Sequence, residues 1–189
     1  LLHWPVLLMP VHIVLLELLI DPACSIVFEA EPESAGIMGR PPRARDASPF
    51  ARANPRLGLI QGLGLAVILL CGYGGMLGQG MLAAHARTAM FVALVIGLFL
   101  LTLANRELAV SLLKRTRAGN PWLLRMFGGV AVMLAVVIGV PFFRHVMALA
   151  WPDASVLTWT VAMLLATIAW LEGWRQFARR VRASRSAPA

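Results

Sequence analysis

The sequence predicts an all-α integral membrane protein, a bundle of five transmembrane helices with its N-terminus outside and its C-terminus in the cytoplasm. Three observations carry that expectation. First, the 189 residues are 59% apolar and only 14% charged, with mean hydropathy +0.77, whereas a soluble domain carries about 25% charged residues. Second, five apolar tracts each reach or approach the ~20 residues that cross a hydrocarbon layer of ~30 Å. Third, the basic residues gather on alternate connections between those tracts. Little chain remains for a large soluble catalytic domain.

The tracts follow in order. Leu1 to Phe28 is uncharged except for Glu17 and Asp21 and predicts a helix over 6–28. Leu57 to Ala84 contains no charge and predicts a helix over 57–77. Thr88 to Asn105, between Arg87 and Arg106, predicts 88–105. Met126 to Phe143 lies between Arg125 and Arg144, and Asn120-Pro121-Trp122 offers an interfacial start one turn earlier, so that helix is expected over 121–140. Ala154 to Leu171 lies between Asp153 and Glu172 and predicts 155–175. A soluble bundle would repeat polar positions along each helix, and the last four tracts have no such stripe. The prolines and mixed charges of residues 29–56 predict a cytoplasmic loop, and residues 176–189 a basic cytoplasmic tail. The opening stretch is no signal peptide: it lacks a basic start and runs into carboxylates. Because the first residue is Leu, a portion of a longer or processed chain is expected.

Orientation follows from charge. Fourteen of the seventeen Lys and Arg residues lie in the first loop (Arg40, Arg43, Arg45, Arg52, Arg56), the third loop (Arg106, Lys114, Arg115, Arg117) and the tail (Arg175, Arg179, Arg180, Arg182, Arg185). The positive-inside rule puts all three in the cytoplasm. That asymmetry explains the net charge of +8 and the pI of 11.4 without nucleic acid as a partner. The lipid bilayer is the partner that this composition requires. Cys24 and Cys71 sit in apolar tracts without metal-ligand spacing and read as small buried side chains. Gly58-x-x-x-Gly62 and Gly74-x-x-x-Gly78 predict close helix packing within the chain, with a homodimer face as the alternative. Trp4, Trp122, Trp151 and Trp174 fall near tract ends, as interfacial anchors do.

Glu17 and Asp21 are the candidate metal-site residues. A carboxylate at the centre of a membrane helix costs about 2.5–3.5 kcal/mol on insertion scales. At i and i+4 the two lie within ~40° of each other around a helix, so their oxygens can converge on one site facing a bundle interior. Two like charges at close range call for a cation, a proton or a basic side chain between them. Pro22 follows at once; it removes a helical N–H and frees carbonyl oxygens in the preceding turn, where unwound backbone can line a polar site. Carboxylates and carbonyls form a hard-oxygen set suited to Ca²⁺, Mg²⁺, Na⁺, K⁺ or a proton. A pair that merely bonds a basic residue is the structural alternative, and no other tract carries a central cation to serve it.

The stretch Pro10-Val-His-Ile-Val-Leu-Leu-Glu17-Leu-Leu-Ile-Asp21-Pro-Ala, then Phe28-Glu-Ala-Glu-Pro and Ile37-Met-Gly-Arg-Pro-Pro-Arg43, resembles the C-terminal membrane domain of type II, cation-transporting P-type ATPases. Calcium pumps and many bacterial cation pumps share the pattern. In the family the sixth membrane helix begins P-V-[QH], carries N-L-V-T-D and leads into a loop reading E-P-P-x-x-x-I-M-x-R-P-P-R. Later segments match in order: Leu103-Ala-Asn105-Arg resembles the exit of the eighth helix, Asn120-Pro-Trp122 the start of the ninth, and the arginine tail the end of the tenth.

The resemblance implies one domain over 1–189 and transported-cation ligands on the first helix. Asp21 matches the family's ligating Asp, Glu17 stands in place of the Asn, and Ile20 stands in place of the Thr and cannot ligate. Phe99 occupies the position where two-site calcium pumps carry a Glu, so one ion per cycle is implied. The family's D-K-T-G-T, T-G-E and G-D-G-x-N-D motifs are absent from these residues. The chain is therefore expected not to hydrolyse ATP alone; ATP and Mg²⁺ belong to the parent pump, whose remaining helices and cytoplasmic domains are the expected partners. A bacterial inner membrane is the location the resemblance implies. The alternatives are a stand-alone structural or regulatory membrane protein, and an independent five-helix channel or carrier. Single-cysteine labelling is expected to find the Arg40–Arg56 segment and the tail reactive only from the cytoplasm; modification of either by an impermeant reagent outside would reverse the orientation.

Overall fold

The computed structural model describes residues 4–29, 39, 55–106 and 121–186, and side chains of 4–19, 25, 39, 58–105 and 125–177. No strand occurs among the described residues. The helices are α1 (Pro10–Glu29), α2 (Pro55–Gly78), α3 (Ala83–Arg106), α4 (Pro121–Gly139), α5 (Pro141–Val146) and α6 (Ala154–Ser186). Four of them open on proline, whose fixed φ suits the first helical position and whose missing N–H would have had no partner there. Gly80, at φ +79°, ends α2 in the left-handed conformation while the Met81 N–H donates to the Met76 carbonyl at 3.0 Å. This turn sends α3 back antiparallel to α2. Segments 30–38, 40–54 and 107–120, which include Arg40, Arg43, Arg45, Arg52 and Lys114, lie outside the described residues.

α1 begins at Pro10 rather than at residue 6, the fourth helix ends within a residue of the expected 140, and three further features were not read from the sequence. Arg87 lies inside α3 rather than at its edge. The fourth tract divides at Val140-Pro141, because proline cannot continue the α4 hydrogen-bond ladder. α6 continues to Ser186, its Ala- and Arg-rich end containing strong helix formers and no proline before residue 188.

α3 is a wall between two cores, and its faces differ in size. Phe91, Val95 and Phe99, spaced one turn apart, pack with Leu16 of α1 and with Val130, Leu134 and Val137 of α4. The opposite face carries Ala86, Ala89 and Ala93, which pack with Leu65, Leu69 and Tyr73 of α2 and with Val156 and Met163 of α6. Gly97 extends that small face, where an added Cβ would lie 2.8 Å from Leu65 Cδ1. Small residues let helices approach closely. On α2 the close contacts fall at Gly64, Gly72 and Gly75, against Trp170, Met163 and Trp159 of α6. The expected Gly58-x-x-x-Gly62 contact is not formed among the described residues: a Cβ at Gly58, Gly62 or Gly78 would meet open space. Only Gly74 of the two motifs is covered, by Trp4. The reason is helix phase, since residues 64, 72 and 75 share the α6 side of α2 and residues 58 and 62 do not.

The outside of the bundle is apolar. Leu59, Leu63 and Val67 on α2, Val132 and Val136 on α4, and Leu157, Val161 and Leu165 on α6 are all exposed. A water-soluble bundle would hide such a surface; a bilayer receives it. Gly58–Gly78, Ala83–Asn105 and Ala154–Phe177 are each long and apolar enough to cross a membrane, and α1 and α4 add the shorter stretches Pro10–Leu19 and Arg125–Gly139.

One end of the bundle is tied by polar groups. Arg87 is buried and donates to the carbonyls of Val6 and Ala148. The Thr88 hydroxyl accepts the Ala150 N–H at 2.9 Å and lies 3.1 Å from the Ala150 carbonyl oxygen. Tyr73 donates to the Pro5 carbonyl at 3.3 Å. Asp153 caps α6, its Oδ1 accepting the Ser155 hydroxyl at 2.6 Å and the Val156 N–H at 2.8 Å. The Ser155 hydroxyl, followed by the Val156 N–H, holds the Asp153 carboxyl below its ordinary range.

Two outcomes follow from these contacts. Gly64→Ala places a methyl group on the Trp170 indole and is expected to destabilise the bundle by about 1–3 kcal/mol, whereas Gly62→Ala, pointing into open space, changes stability by less than about 0.5 kcal/mol; steric-trap unfolding in bicelles measures both. Because the folded-state pKa of Asp153 is depressed, its capping contribution is complete above the ordinary carboxyl pKa of about 4 and is lost as pH falls through the folded value. Amide exchange at Val156 should therefore accelerate in acid beyond its intrinsic pH dependence, and Asp153→Asn should abolish that excess; an unchanged profile in Asp153→Asn would remove the carboxylate from the cap.

Candidate functional site

α1 has two unlike sides. His12 and Leu16, one turn apart, are buried. The His12 ring meets Phe91 of α3 edge-on at a centroid distance of 5.0 Å, and its Nδ1 accepts the Met9 N–H at 2.9 Å. Ile13, Val14, Glu17, Leu18 and Ser25 are exposed, Leu18 by 71%. At ~100° per residue, Glu17 stands about 140° around the helix from His12. Its carboxylate is therefore directed out of the bundle and not into it, which corrects the expectation of a site facing the interior of these helices. The inward positions of α1 are already taken by His12 and Leu16, which fill the space against α3 and α4.

Asp21 follows one turn after Glu17 on the same helical backbone, and its side chain lies outside the described residues. The backbone is helical from Pro10 through Pro22 to Glu29, so the expected unwound turn is absent. Proline withholds one N–H, the one that the Leu18 carbonyl would otherwise receive, and the remaining ladder is sufficient to carry the helix through. Among the described residues no group of three or more His, Cys, Asp or Glu side chains comes together.

The other candidates fall as follows. Phe99 is buried in the α1–α3–α4 core with its ring centroid 5.5 Å from that of Phe127. Cys71 is a free thiol on the exposed side of α2. A groove of about 370 Å³ between α1, α4 and α5 is lined by Val14, Leu18, Met133, Val137, Phe143 and Met147 among others; with no oxygen donor on those side chains it has no chemistry for a cation.

Sequence reasoning used Arg87 only as the boundary of a tract and His12 only as part of a motif. Both are buried polar groups: His12 lies in the first turn of the helix that bears the carboxylates, and Arg87 of α3 bonds the segment leading into it. The available signal for Arg87 was that it is the one charge between Leu57 and Asn105. Gln61 of α2 and Arg175 of α6 are also buried, Arg175 donating to Glu172 at 3.1 Å.

A sequence comparison with curated proteins gives no significant match. A family profile described as "Cation transporting ATPase, C-terminus" matches residues 5–177, from the segment before α1 into the last turns of the apolar part of α6. The match includes Glu17, Asp21, all of α1 to α5 and α6 as far as residue 177. The chain belongs to the family of C-terminal domains of cation-transporting P-type ATPases.

Proposed function

We propose that this chain supplies part of the intramembrane cation site and the C-terminal helix scaffold of an ATP-driven cation pump, with Glu17 and Asp21 as ligands of the transported cation. The observation that carries the reading is the exposed Glu17 in the apolar half of α1. A carboxylate directed at lipid is costly, and a helix that only scaffolds a bundle has no need of one. An exposed face that bears it is suited to meeting further helices of the pump across a cation. Asp21, one turn on, brings the second carboxylate, and its match to a family ligand position supports the same role. This also weighs against a stand-alone structural or regulatory protein.

All five long helices cross the membrane in this reading, since α1 and α4 with 20 and 19 residues span ~30 Å at 1.5 Å per residue. The end tied by Arg87 is extracytoplasmic, because fourteen of the seventeen basic residues belong to the opposite connections and the tail. Resemblance to bacterial pumps favours a bacterial inner membrane. One cation per cycle agrees with the apolar surroundings of Phe99. The two carboxylates and neutral oxygens admit Ca²⁺, Mg²⁺, Na⁺, K⁺ or a proton, and phosphoryl transfer from ATP belongs to the pump's cytoplasmic domains.

In the complete pump, Asp21→Asn is expected to abolish cation-dependent phosphorylation, because an amide cannot balance the cation's charge in low dielectric. Glu17→Gln should weaken apparent cation affinity, since it removes one of the two charges that balance the cation in low dielectric. Phosphorylation assays at graded cation concentration decide the matter, and normal affinity with normal turnover in Asp21→Asn would place the site elsewhere.

A further inference from the structure

The start of α1 is fixed by one side chain of α3 more than by any feature of its own. The Arg87 guanidinium donates to the Val6 carbonyl through Nε at 3.2 Å and Nη2 at 2.8 Å, and through Nη1 to the Ala148 carbonyl at 2.7 Å. It is 6% exposed, and among the described residues no carboxylate lies within ion-pair distance of it. A buried charge neutralised by carbonyl dipoles alone is an expensive arrangement. Ala148 adds to the cost by adopting φ +47°, a left-handed conformation that disfavours a side chain with a Cβ. Both costs serve the same contact.

The fastening continues along α1. One turn after Arg87, Phe91 receives the His12 ring, and His12 in turn holds the Met9 N–H. Residue 6, in the segment that enters α1, and residue 12, in its first turn, are thus both held from α3, and residue 9 is tied to residue 12. A tether on the entering segment limits the depth of the helix, and a ring contact on its first turn sets its rotation. Once His12 is turned to Phe91, the ~140° offset of Glu17 is determined.

We propose that Arg87 is the positioning residue for the helix that bears the carboxylates: by joining the Val6 and Ala148 carbonyls it sets the rotation and depth of α1, and so the direction from which positions 17 and 21 address the cation. This rests on the reading of Glu17 and Asp21 as cation ligands given above. Arg87 touches no cation in this scheme and acts through α1 alone.

The test separates the two claims. In the complete pump freed of other reactive cysteines, spin labels at Glu17→Cys and Leu165→Cys report α1 against α6. Arg87→Gln should broaden or shift that distance distribution, and Arg87→Lys, which keeps the charge but loses the planar fork, should do so to a lesser degree. His85→Gln, which removes only the contact to Asp153, should leave it narrow. An unchanged distribution in Arg87→Gln overturns the proposal, as does equal broadening in His85→Gln. With Glu17 restored, Arg87→Lys should raise the cation concentration for half-maximal phosphorylation by roughly tenfold, the scale of a small misplacement of reacting groups, with the maximal level little changed. A lower maximal level at unchanged half-saturation would mean that Arg87 serves folding only, and would overturn the proposal. Normal phosphorylation of Asp21→Asn would instead remove the cation reading, while the label distances judge the clamp independently.

Discussion

α3 must be covered on opposite sides by different partners, and most of the architecture follows from how it meets that demand. Its bulky face, Phe91, Val95 and Phe99, keeps α1 and α4 at the distance that aromatic and branched side chains need. Its small face, Ala86, Ala89, Ala93 and Gly97, draws α2 and α6 in. In a bilayer no hydrophobic force presses the helices together, so shape complementarity and hydrogen bonds must do so. The two cores consequently share no element but α3, and the polar ties of Arg87 and Thr88 sit at its first turns, where the loops from both sides converge.

The division of α1 into a fastened side and an open side gives this arrangement its functional sense. His12 and Leu16 commit one side to the bundle, and Glu17 with its exposed neighbours is left to face whatever lies beyond. In the function proposed above, that face is where the pump's remaining helices meet this domain. The side chains lining the groove between α1, α4 and α5 offer no oxygen ligand.

Much of this was legible in the sequence because lipid imposes so simple a rule. Long uncharged tracts such as Leu57 to Ala84 have few alternatives to a helix, and the prolines at 10, 55, 121 and 141 mark helix starts for a local reason. What could not be read depended on distant partners. Arg87 looks like an ordinary boundary charge until the carbonyls of residues 6 and 148 surround it. Gly58 and Gly62 have the better motif, yet Gly64, Gly72 and Gly75 make the contacts, because they lie on the side of α2 that Trp159, Met163 and Trp170 of α6 cover. The carboxylate pair was visible as chemistry, but the side of α1 on which Glu17 falls was decided by His12 and Phe91.

The length of α6 has a consequence of its own. From the Asp153 cap to buried Arg175 the helix rises ~33 Å at 1.5 Å per residue, close to one hydrocarbon thickness, and the helical backbone then continues through Arg179, Arg180, Arg182 and Arg185 to Ser186. Neither end can be drawn into lipid without immersing charge. In the transmembrane reading proposed above, α6 is matched in length to bilayers of about that thickness. Through its close fit to α2 and α3, a thinner or thicker membrane would act on the tilt of the whole bundle before it acted on any single helix.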